Sequence, residues 1–393
     1  MSRSIKGKAA VIGVGESDYY RHGHAPKREF ELTVDAILNA ANDAGISPKS
    51  IDGFVSFADD RNTPTRLANA LGIDELRWST MQWGGGGAGG SGAVQQAAAA
   101  IAAGFAETVV VYRGLNQGEF GRYGAGRSRR ANDSLRVAYG MLSPAQLFAP
   151  KMMRFLYETG IDPAVQEAVS LASYHHARTN PRAVMHDHKL TPERYRESRW
   201  IVEPWRLYDC CQENDGAAAL ILSSPERARE LSDRPVYVMA AAQGAAHRAG
   251  GFLDYIYDGP DQPTSEFKTT APRLFEMAGI GPADVDVVQA YENFTGGVVM
   301  SLIEHGFSSV EEADSFFRLE NLIAPSGRLP LNTSGGNIAE AYIHGLELNV
   351  EAVRQIRATA TNQVPDAQVS FVASGPMVTP VTSVIFCSEE ALA

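Results

Sequence analysis

The chain is 393 residues long, with 44% hydrophobic and 21% charged residues. This balance is typical of a globular protein and excludes disorder, collagen and coiled coil. Its formal net charge of -11 argues against a non-specific nucleic-acid binder. No apolar stretch approaches the roughly 18 to 20 residues of a membrane span, and no secretory signal pattern is present. We therefore expect a cytoplasmic protein whose cysteines stay reduced, because only three are present and two of them are adjacent.

The chain opens with a predicted β–α unit. Residues 8–15, KAAVIGVG, form an apolar segment that ends in glycines and predicts a strand. After a polar loop, an amphipathic pattern from Leu32 to Ala44 predicts a helix, and Gly45 marks its end. A strand followed by a helix at this spacing indicates an α/β protein.

The next conspicuous feature is a glycine run, WGGGGAGGSG at 83–92. It precedes an Ala-rich segment and the strand-like ETVVVYR at 107–113, a pattern that predicts a buried crossover helix and a parallel sheet. Glycines let the backbone approach a ligand, and the first N–H groups of the helix favour an anion. Close packing of the helix alone would also select small residues. No GK[ST] follows, so the run is not a P-loop.

Two distant segments resemble each other. AGISPKSIDGFVSF at 44–57 and AGIGPADVDVVQAY at 278–291 share Ala, Gly, Ile, Pro and Asp in register. A strand-like segment precedes each copy, which favours duplication. We therefore predict two similar halves, residues 1–232, with a helical insertion at about 115–200, and residues 233–393.

Several reactive residue types occur in unpromising contexts. His186 and His188 form an HxH in a polar segment without a clear third ligand, so we expect no metal site. The seven lysines lie in polar or terminal stretches, which disfavours an imine mechanism. Cys210 and Cys211 precede an apolar strand and look like packing residues.

Polar side chains follow apolar segments in two places, where α/β folds build their sites. The segments are VVQAYENFTGG at 287–297 and LNTSGGNIAEAYIHG at 331–345. Their candidate residues are Tyr291, Glu292, Asn293, Tyr342 and His344.

The order of these segments resembles the thiolase superfamily over the whole chain. The glycine run resembles the turn that carries the acylated cysteine, and YENF resembles the NEAF motif. SGGNIAEAYIHG resembles the SGG…GHP region, and FVASGPMVTP at 371–380 resembles the final Cys-x-Gly hairpin. The resemblance implies an α/β thiolase fold, in which duplicated βαβαβαββ halves form a five-layer αβαβα core.

The sequence departs from thiolases at each decisive position. The nucleophilic cysteine position falls on about Gly87 and the last cysteine on about Ala373. Tyr291 stands at the Asn of NEAF, and Tyr342 stands at the His of GHP. An acyl-cysteine intermediate therefore has no candidate, and we do not expect a thiolase or a ketosynthase.

In lacking these thiolase residues, the sequence resembles one branch of the superfamily, the thiolase-like aldolases of bacterial steroid side-chain degradation. The resemblance implies retro-aldol cleavage of a 17-hydroxy steroid 20-carboxyl-CoA thioester to a 17-ketosteroid and propionyl-CoA. It implies a homodimer within a heterotetramer with a small zinc-ribbon and OB-fold partner, and no cofactor or catalytic metal.

The resemblance also assigns roles to residues. Tyr291 and Tyr342 match the two tyrosines that serve as the acid and the base, without deciding which serves as which. By analogy with thiolase oxyanion holes, the amides near Gly86 and Gly87 are expected to stabilise the enolate. The second-rank candidates for substrate or oxyanion contacts are Glu292, Asn293 and His344.

A tyrosine is an awkward base. At an ordinary pKa of about 10, roughly one phenol in a thousand is ionised at pH 7. Lowering that pKa to about 7 takes on the order of 4 kcal/mol of selective phenolate stabilisation. Helix N-terminal amides, a hydrogen-bond donor or a positive neighbour could supply it, and His344 is a candidate.

Two other functions stay open at this point. One is a thiolase or acyltransferase with another nucleophile, such as Cys210 or Ser91, and it predicts a covalent acyl adduct. The other is a non-catalytic carrier of acyl-CoA or lipid that kept the fold, and it predicts binding without cleavage.

Overall fold

The computed structural model describes residues 4–58, 60–84, 86–121, 138–246 and 263–392. The strands are β1 (Ala10–Glu16), β2 (Tyr20–Arg21), β3 (Gly53–Phe57), β4 (Trp78–Gln82), β5 (Val109–Asn116), β6 (Trp200–Val202), β7 (Trp205–Arg206), β8 (Asn214–Ser223), β9 (Val236–Gly244), β10 (Val287–Ala290), β11 (Val369–Ser374) and β12 (Val381–Cys387).

The strands form one continuous mixed sheet in the order β10-β11-β12-β9-β1-β8-β5-β3-β4, with β2 beside β8. Strands β6 and β7 form a separate small ribbon. β10 and β11 run parallel, and so do β5, β3 and β4. β12 and β8 run antiparallel to their neighbours. Counted outward from the β1–β9 pair, the order β1-β8-β5-β3 on one side matches β9-β12-β11-β10 on the other, and β4 is an additional strand next to β3.

The repeated segments build the same unit twice. Each begins at a helix end with a left-handed glycine, Gly45 at φ 65° or Gly279 at φ 76°. A short 3-10 turn follows, at Pro48–Ser50 or Pro282–Asp284, and leads into β3 or β10. The two units stand at equivalent places in the sheet, as a duplication predicts. The division of the chain at 232/233 stays a prediction.

The helices are α1 (Glu29–Asp43), α2 (Pro64–Leu71), α3 (Gly89–Ala102), α4 (Gln117–Phe120), α5 (Pro144–Thr159), α6 (Ala164–Ala177), α7 (Pro192–Glu197), α8 (Pro225–Leu231), α9 (Ala271–Ala278), α10 (Thr295–Glu304), α11 (Ala313–Phe316), α12 (Leu319–Leu322), α13 (Gly336–Ala339), α14 (Leu346–Arg357) and α15 (Glu389–Leu392). The predicted first helix is confirmed, although α1 begins three residues before Leu32.

Helices α3 and α14 lie between the two parts of the sheet, and each contacts strands from both. α1 covers β1, β5 and β8 on one outer side, and α9 covers β9 and β12 on the other. This is the five-layer arrangement that the thiolase resemblance implies. α3 carries no charged residue and is rich in Gly and Ala, because a helix packed between two parts of the sheet exposes little surface and has little room for large side chains.

The described part of the stretch between β5 and β8 includes helices α5 to α7, and α6 packs against α10, α12 and α13. Two aromatic side chains of this stretch contact Phe294, just beyond β10. The Trp205 ring stacks on Phe294 with centroids 4.1 Å apart, and the Phe148 ring packs against it with centroids 5.8 Å apart. Lys151 on α5 corrects the expectation that all lysines lie in polar or terminal stretches. It is buried against Glu266 at 3.5 Å, because its helix packs inward.

Candidate active site

The two candidate tyrosines meet in the interior. Tyr291 follows β10, Tyr342 follows α13, and their hydroxyl oxygens are 2.6 Å apart. Both rings are buried, with centroids separated by 5.9 Å. The distance is that of a short O–H···O hydrogen bond, so one phenol donates its proton to the oxygen of the other. The residues that the sequence predicts as an acid–base pair are in direct contact.

Glycines make the room for Tyr291. A Cβ at Gly87 would lie 2.6 Å from Cδ2 of the Tyr291 ring and still closer to Cε2 and Cζ. A Cβ at Gly345, which has φ 77°, would also lie 2.6 Å from Cδ2. A Cβ at Gly86 would lie 3.9 Å from the hydroxyl oxygen. The Tyr291 ring therefore occupies the space that a side chain at position 87 would need, including a thiolase cysteine.

Backbone hydrogen bonds hold both tyrosines in place. The amide of Tyr291 donates to the carbonyl of Ala373 on β11 at 2.9 Å. The amide of Tyr342 donates to Oδ1 of Asn214, the first residue of β8, at 2.6 Å. The hairpin after β11 also packs closely against the glycine run, since a Cβ at Gly375 would overlap the backbone of Ala88. The site thus sits where both halves of the sheet meet the start of α3.

His344 lies beside the pair. Its ring packs edge-on against Tyr342, with centroids 5.2 Å apart and planes at 89°. The Nε of Arg113 donates to Nδ1 of His344 at 3.1 Å. Burial, together with the nearby Arg113 and Arg61 charges, holds the pKa of His344 well below its ordinary value. His344 is therefore a neutral imidazole at physiological pH.

Glu292 and Asn293 are tied into the scaffold. The carboxylate of Glu292 accepts from Ser173 Oγ at 3.0 Å and from the Asn337 amide at 2.8 Å. Burial raises the pKa of Glu292 to about 7. Oδ1 of Asn293 accepts from the amide of Phe294 at 2.8 Å. The Glu292 contacts connect the segment after β10 to α6 and to α13 and so hold the backbone next to the tyrosines.

The alternative nucleophiles have other partners. Ser91 is fully buried in α3, and its Oγ is 2.8 Å from Oγ of Ser374. Sγ of Cys210 donates to the carbonyl of Arg206 at 3.6 Å. Burial raises the pKa of both Cys210 and Cys211 well above that of a free thiol. Neither cysteine is an activated thiolate, which is the form that attacks a thioester.

No group of three or more His, Cys, Asp or Glu side chains could hold a metal ion in the part of the chain that the structure describes. His186 and His188 have separate partners, since Nδ1 of the first is 3.1 Å from the Asn180 carbonyl and Nε2 of the second is 3.2 Å from the Tyr208 hydroxyl. Among the described ranges, no helix is long and apolar enough to cross a membrane.

Sequence reasoning missed two residues of the site. Arg113 was not among the candidate residues, but it is buried within β5. A single arginine inside the apolar VVVYR is the signal that could have identified it, because a charge there needs a buried partner. Asn214 gives no such signal, since its partner is the backbone of Tyr342, which is distant in sequence.

Comparisons with known proteins agree with this geometry. The family described as "Thiolase C-terminal domain-like" matches residues 254–387. The "17-hydroxy-3-oxo-4-pregnene-20-carboxyl-CoA lyase" of Mycobacterium tuberculosis is 37% identical, over 94% of this chain and 97% of that protein. The "Steroid side-chain-cleaving aldolase" of Thermomonospora curvata is also 37% identical, over 94% of this chain and 96% of that protein. The chain belongs to the thiolase-like steroid side-chain aldolases.

The solved structures agree with that assignment. The aldolase superimposes on the "Ltp2-ChsH2(DUF35) aldolase" with a TM-score of 0.90 at 34% identity, covering 99% of this chain and 100% of the other. Human mitochondrial 3-ketoacyl-CoA thiolase gives a TM-score of 0.69 at 12% identity, covering 98% of this chain and 99% of the other, which shows the shared fold alone. The aldolase is thus a carbon–carbon lyase on a thiolase fold and not a true thiolase.

Proposed function

We propose that this aldolase cleaves a 17-hydroxy steroid 20-carboxyl-CoA thioester into a 17-ketosteroid and propionyl-CoA by a retro-aldol reaction. The observation that carries the proposal is the buried Tyr291–Tyr342 pair, with hydroxyls 2.6 Å apart, in place of the thiolase Asn and His. The names of the two relatives that are 37% identical support the substrate class.

The reaction needs a base, an acid and a site for negative charge. The base removes the proton of the tertiary C17 hydroxyl, and a C=O bond forms as the C17–C20 bond breaks. The electron pair of that bond passes into the thioester as an enolate, and the acid then protonates C20. One proton leaves the C17 hydroxyl and one is added to C20, so the tyrosine pair returns to its starting state. The reaction needs no oxidant or reductant.

The tyrosine pair fits the acid and base steps. Loss of one proton from the pair leaves a phenolate, which the remaining hydroxyl stabilises by a charge-assisted hydrogen bond. Tyr291 also lies beside Gly86, close to the N-terminus of α3, where the helix dipole favours negative charge. Because the two hydroxyls are in direct contact, we assign the base role to the pair and not to either Tyr291 or Tyr342 alone.

The enolate oxygen also needs a donor. We assign this to the backbone amides at Gly86 and Gly87, which lie against the Tyr291 ring, and to His344, which packs against the Tyr342 ring. Donors fixed before the reaction cost no reorganisation when the charge develops. No cofactor is needed for any step, because CoA belongs to the substrate.

We also propose the assembly. The name "Ltp2-ChsH2(DUF35) aldolase" joins two components, which supports a complex of this chain with a small partner that carries a zinc ribbon and an OB fold. A homodimer within that complex is supported by β4, which is the last strand of the sheet among the described residues and offers its outer edge to a second copy. The cytoplasm is the expected compartment.

Conservative variants of the pair test the mechanism. Tyr291→Phe and Tyr342→Phe each remove one hydroxyl and keep the ring, so both variants should fold normally. Each should lower kcat for steroid thioester cleavage by at least about a hundredfold, which corresponds to loss of general acid–base catalysis. Tyr157→Phe, at a tyrosine that is 83% exposed, is the matched control and should leave kcat unchanged. Wild-type turnover by both site variants would remove the mechanism.

A further inference from the structure

A buried chain of three side chains leads from β5 to the tyrosine pair. Nη1 of Arg113 donates to the Phe57 carbonyl at 2.7 Å and lies 3.2 Å from Oδ2 of Asp60. The guanidinium is thereby held from one side, and its Nε donates to Nδ1 of His344 at 3.1 Å. The side chains of Arg113 and Asp60 are 3% and 0% exposed, so solvent does not compete for these contacts.

Because Arg113 is the donor in this hydrogen bond, it determines the protonation and the tautomer of the His344 imidazole. A guanidinium has only N–H donors and stays charged in proteins. A ring nitrogen that accepts from it must present a lone pair, so the proton of the neutral imidazole is on Nε2. A protonated imidazole would direct an N–H against the Arg113 N–H and place two positive charges side by side. The Arg113 contact therefore excludes both the cation and the other tautomer.

The backbone at His344 shows how firmly the ring is placed. Its φ is 53°, in the left-handed region that is uncommon for residues other than glycine. Such a conformation persists where surrounding contacts hold it. The contacts include the Arg113 bond and the edge-on packing against Tyr342, whose hydroxyl meets that of Tyr291. His344 thus stands one ring away from the reacting hydroxyls.

We propose that Arg113 is a positioning residue that fixes His344 as the neutral Nε2–H tautomer, so that His344 acts as a hydrogen-bond donor to the enolate oxygen and not as a base. This rests on the proposed retro-aldol function. A neutral imidazole donates without transferring its proton, which suits a charge that develops and disappears within one turnover. Asp60 supports this role by fixing the far side of the guanidinium.

Nitrogen-15 NMR of the histidine-labelled complex tests the proposal directly. His344→Asn identifies the His344 signals by their loss. In the wild type, we expect an unprotonated Nδ1 and a protonated Nε2. Arg113→Met should convert this pattern to a mixture of tautomers and lower kcat by about 10- to 100-fold, with a smaller change in KM.

Arg61→Met is the matched control. Arg61 also contributes positive charge near His344, but its Nη1 bonds Glu29 and its side chain is 45% exposed. The Arg61 variant should keep the Nε2–H tautomer and most of kcat.

Two results would overturn the proposal. One is a protonated Nδ1 of His344 in the wild type. This measurement does not use the Arg113→Met variant, so it tests the proposal even if that variant fails to fold. The other is a folded Arg113 variant with an unchanged tautomer and unchanged kcat. If the wild-type complex cleaved no steroid thioester, the proposed function would fail, while the NMR pattern would still decide the tautomer.

Discussion

The close approach of Gly87 to Tyr291 makes the sharpest prediction, because a single methyl group at position 87 should disable the site. The new Cβ would lie 2.6 Å from Cδ2 of the tyrosine ring, whereas ordinary contact begins at 3.4 Å. Cε2 and Cζ of the ring lie still closer to the new Cβ, so the ring or the glycine loop must move by well over about 0.8 Å. A displacement of that size separates the two hydroxyls, and a misplacement of about 1 Å at reacting groups can cost roughly a hundredfold in rate.

Gly87→Ala should also lower the free energy of unfolding. Overpacking of a buried site typically costs about 1–3 kcal/mol of unfolding free energy. Gly281→Ala is the matched control, since its φ is -109° and the nearest atom to its new Cβ lies at 3.8 Å. The control should change neither kcat nor stability by a comparable amount.

A double variant separates the clash from other effects. In Gly87→Ala/Tyr291→Ala, the methyl group enters the space that the ring has left, so the two losses of stability should sum to more than the loss in the double variant. Turnover should stay absent, because the hydroxyl is gone. Steady-state kinetics and chemical denaturation measure both quantities. Wild-type kcat in Gly87→Ala, or strict additivity of the stability losses, would refute the reasoning.

Two further predictions concern buried groups around the site. Burial raises the pKa of Glu292 to about 7 from an ordinary 4.5. Between pH 4.5 and about pH 7 the folded state therefore binds more protons than the unfolded state. The free energy of unfolding falls as pH rises through this range. Glu292→Gln removes that dependence, and its melting temperature relative to the wild type should increase from about pH 5 to pH 8; a constant difference would contradict the assignment. Ser91→Ala and Cys210→Ala should keep kcat within a few fold, because Ser91 is hydrogen-bonded inside α3 and burial raises the pKa of Cys210. A loss of turnover accompanied by loss of a covalent adduct in mass spectrometry would contradict this prediction.

Much of the fold could be predicted because local patterns and global topology agree. The apolar opening strand, the helix ending at Gly45 and the repeat at 278–291 all appear where the sequence indicates them. Helix α3 shows the limit of such reasoning. Its Gly and Ala content predicts burial, but only the structure shows that Gly87, just before the helix, makes room for the ring of Tyr291, which is distant in sequence.

The site was predictable where it lies on recognisable segments and unpredictable where it depends on distant contacts. Tyr291 and Tyr342 could be selected because both follow predicted elements in thiolase-like segments. Their 2.6 Å contact could not, since it depends on how the chain folds between them. The partner of His344 was also hidden, because Arg113 lies 231 positions away in the sequence and looks like one arginine among many.

The central claim is that this chain breaks a carbon–carbon bond without forming a covalent acyl-enzyme. The most direct measurement incubates the purified complex of the chain and its small partner with a 17-hydroxy steroid 20-carboxyl-CoA in D2O and follows all species by mass spectrometry. The account predicts the 17-ketosteroid and propionyl-CoA in equal amounts, with one deuterium on the α-carbon of the propionyl group and no acylated protein. Saturable binding without cleavage, or an acyl adduct on the protein, would contradict it.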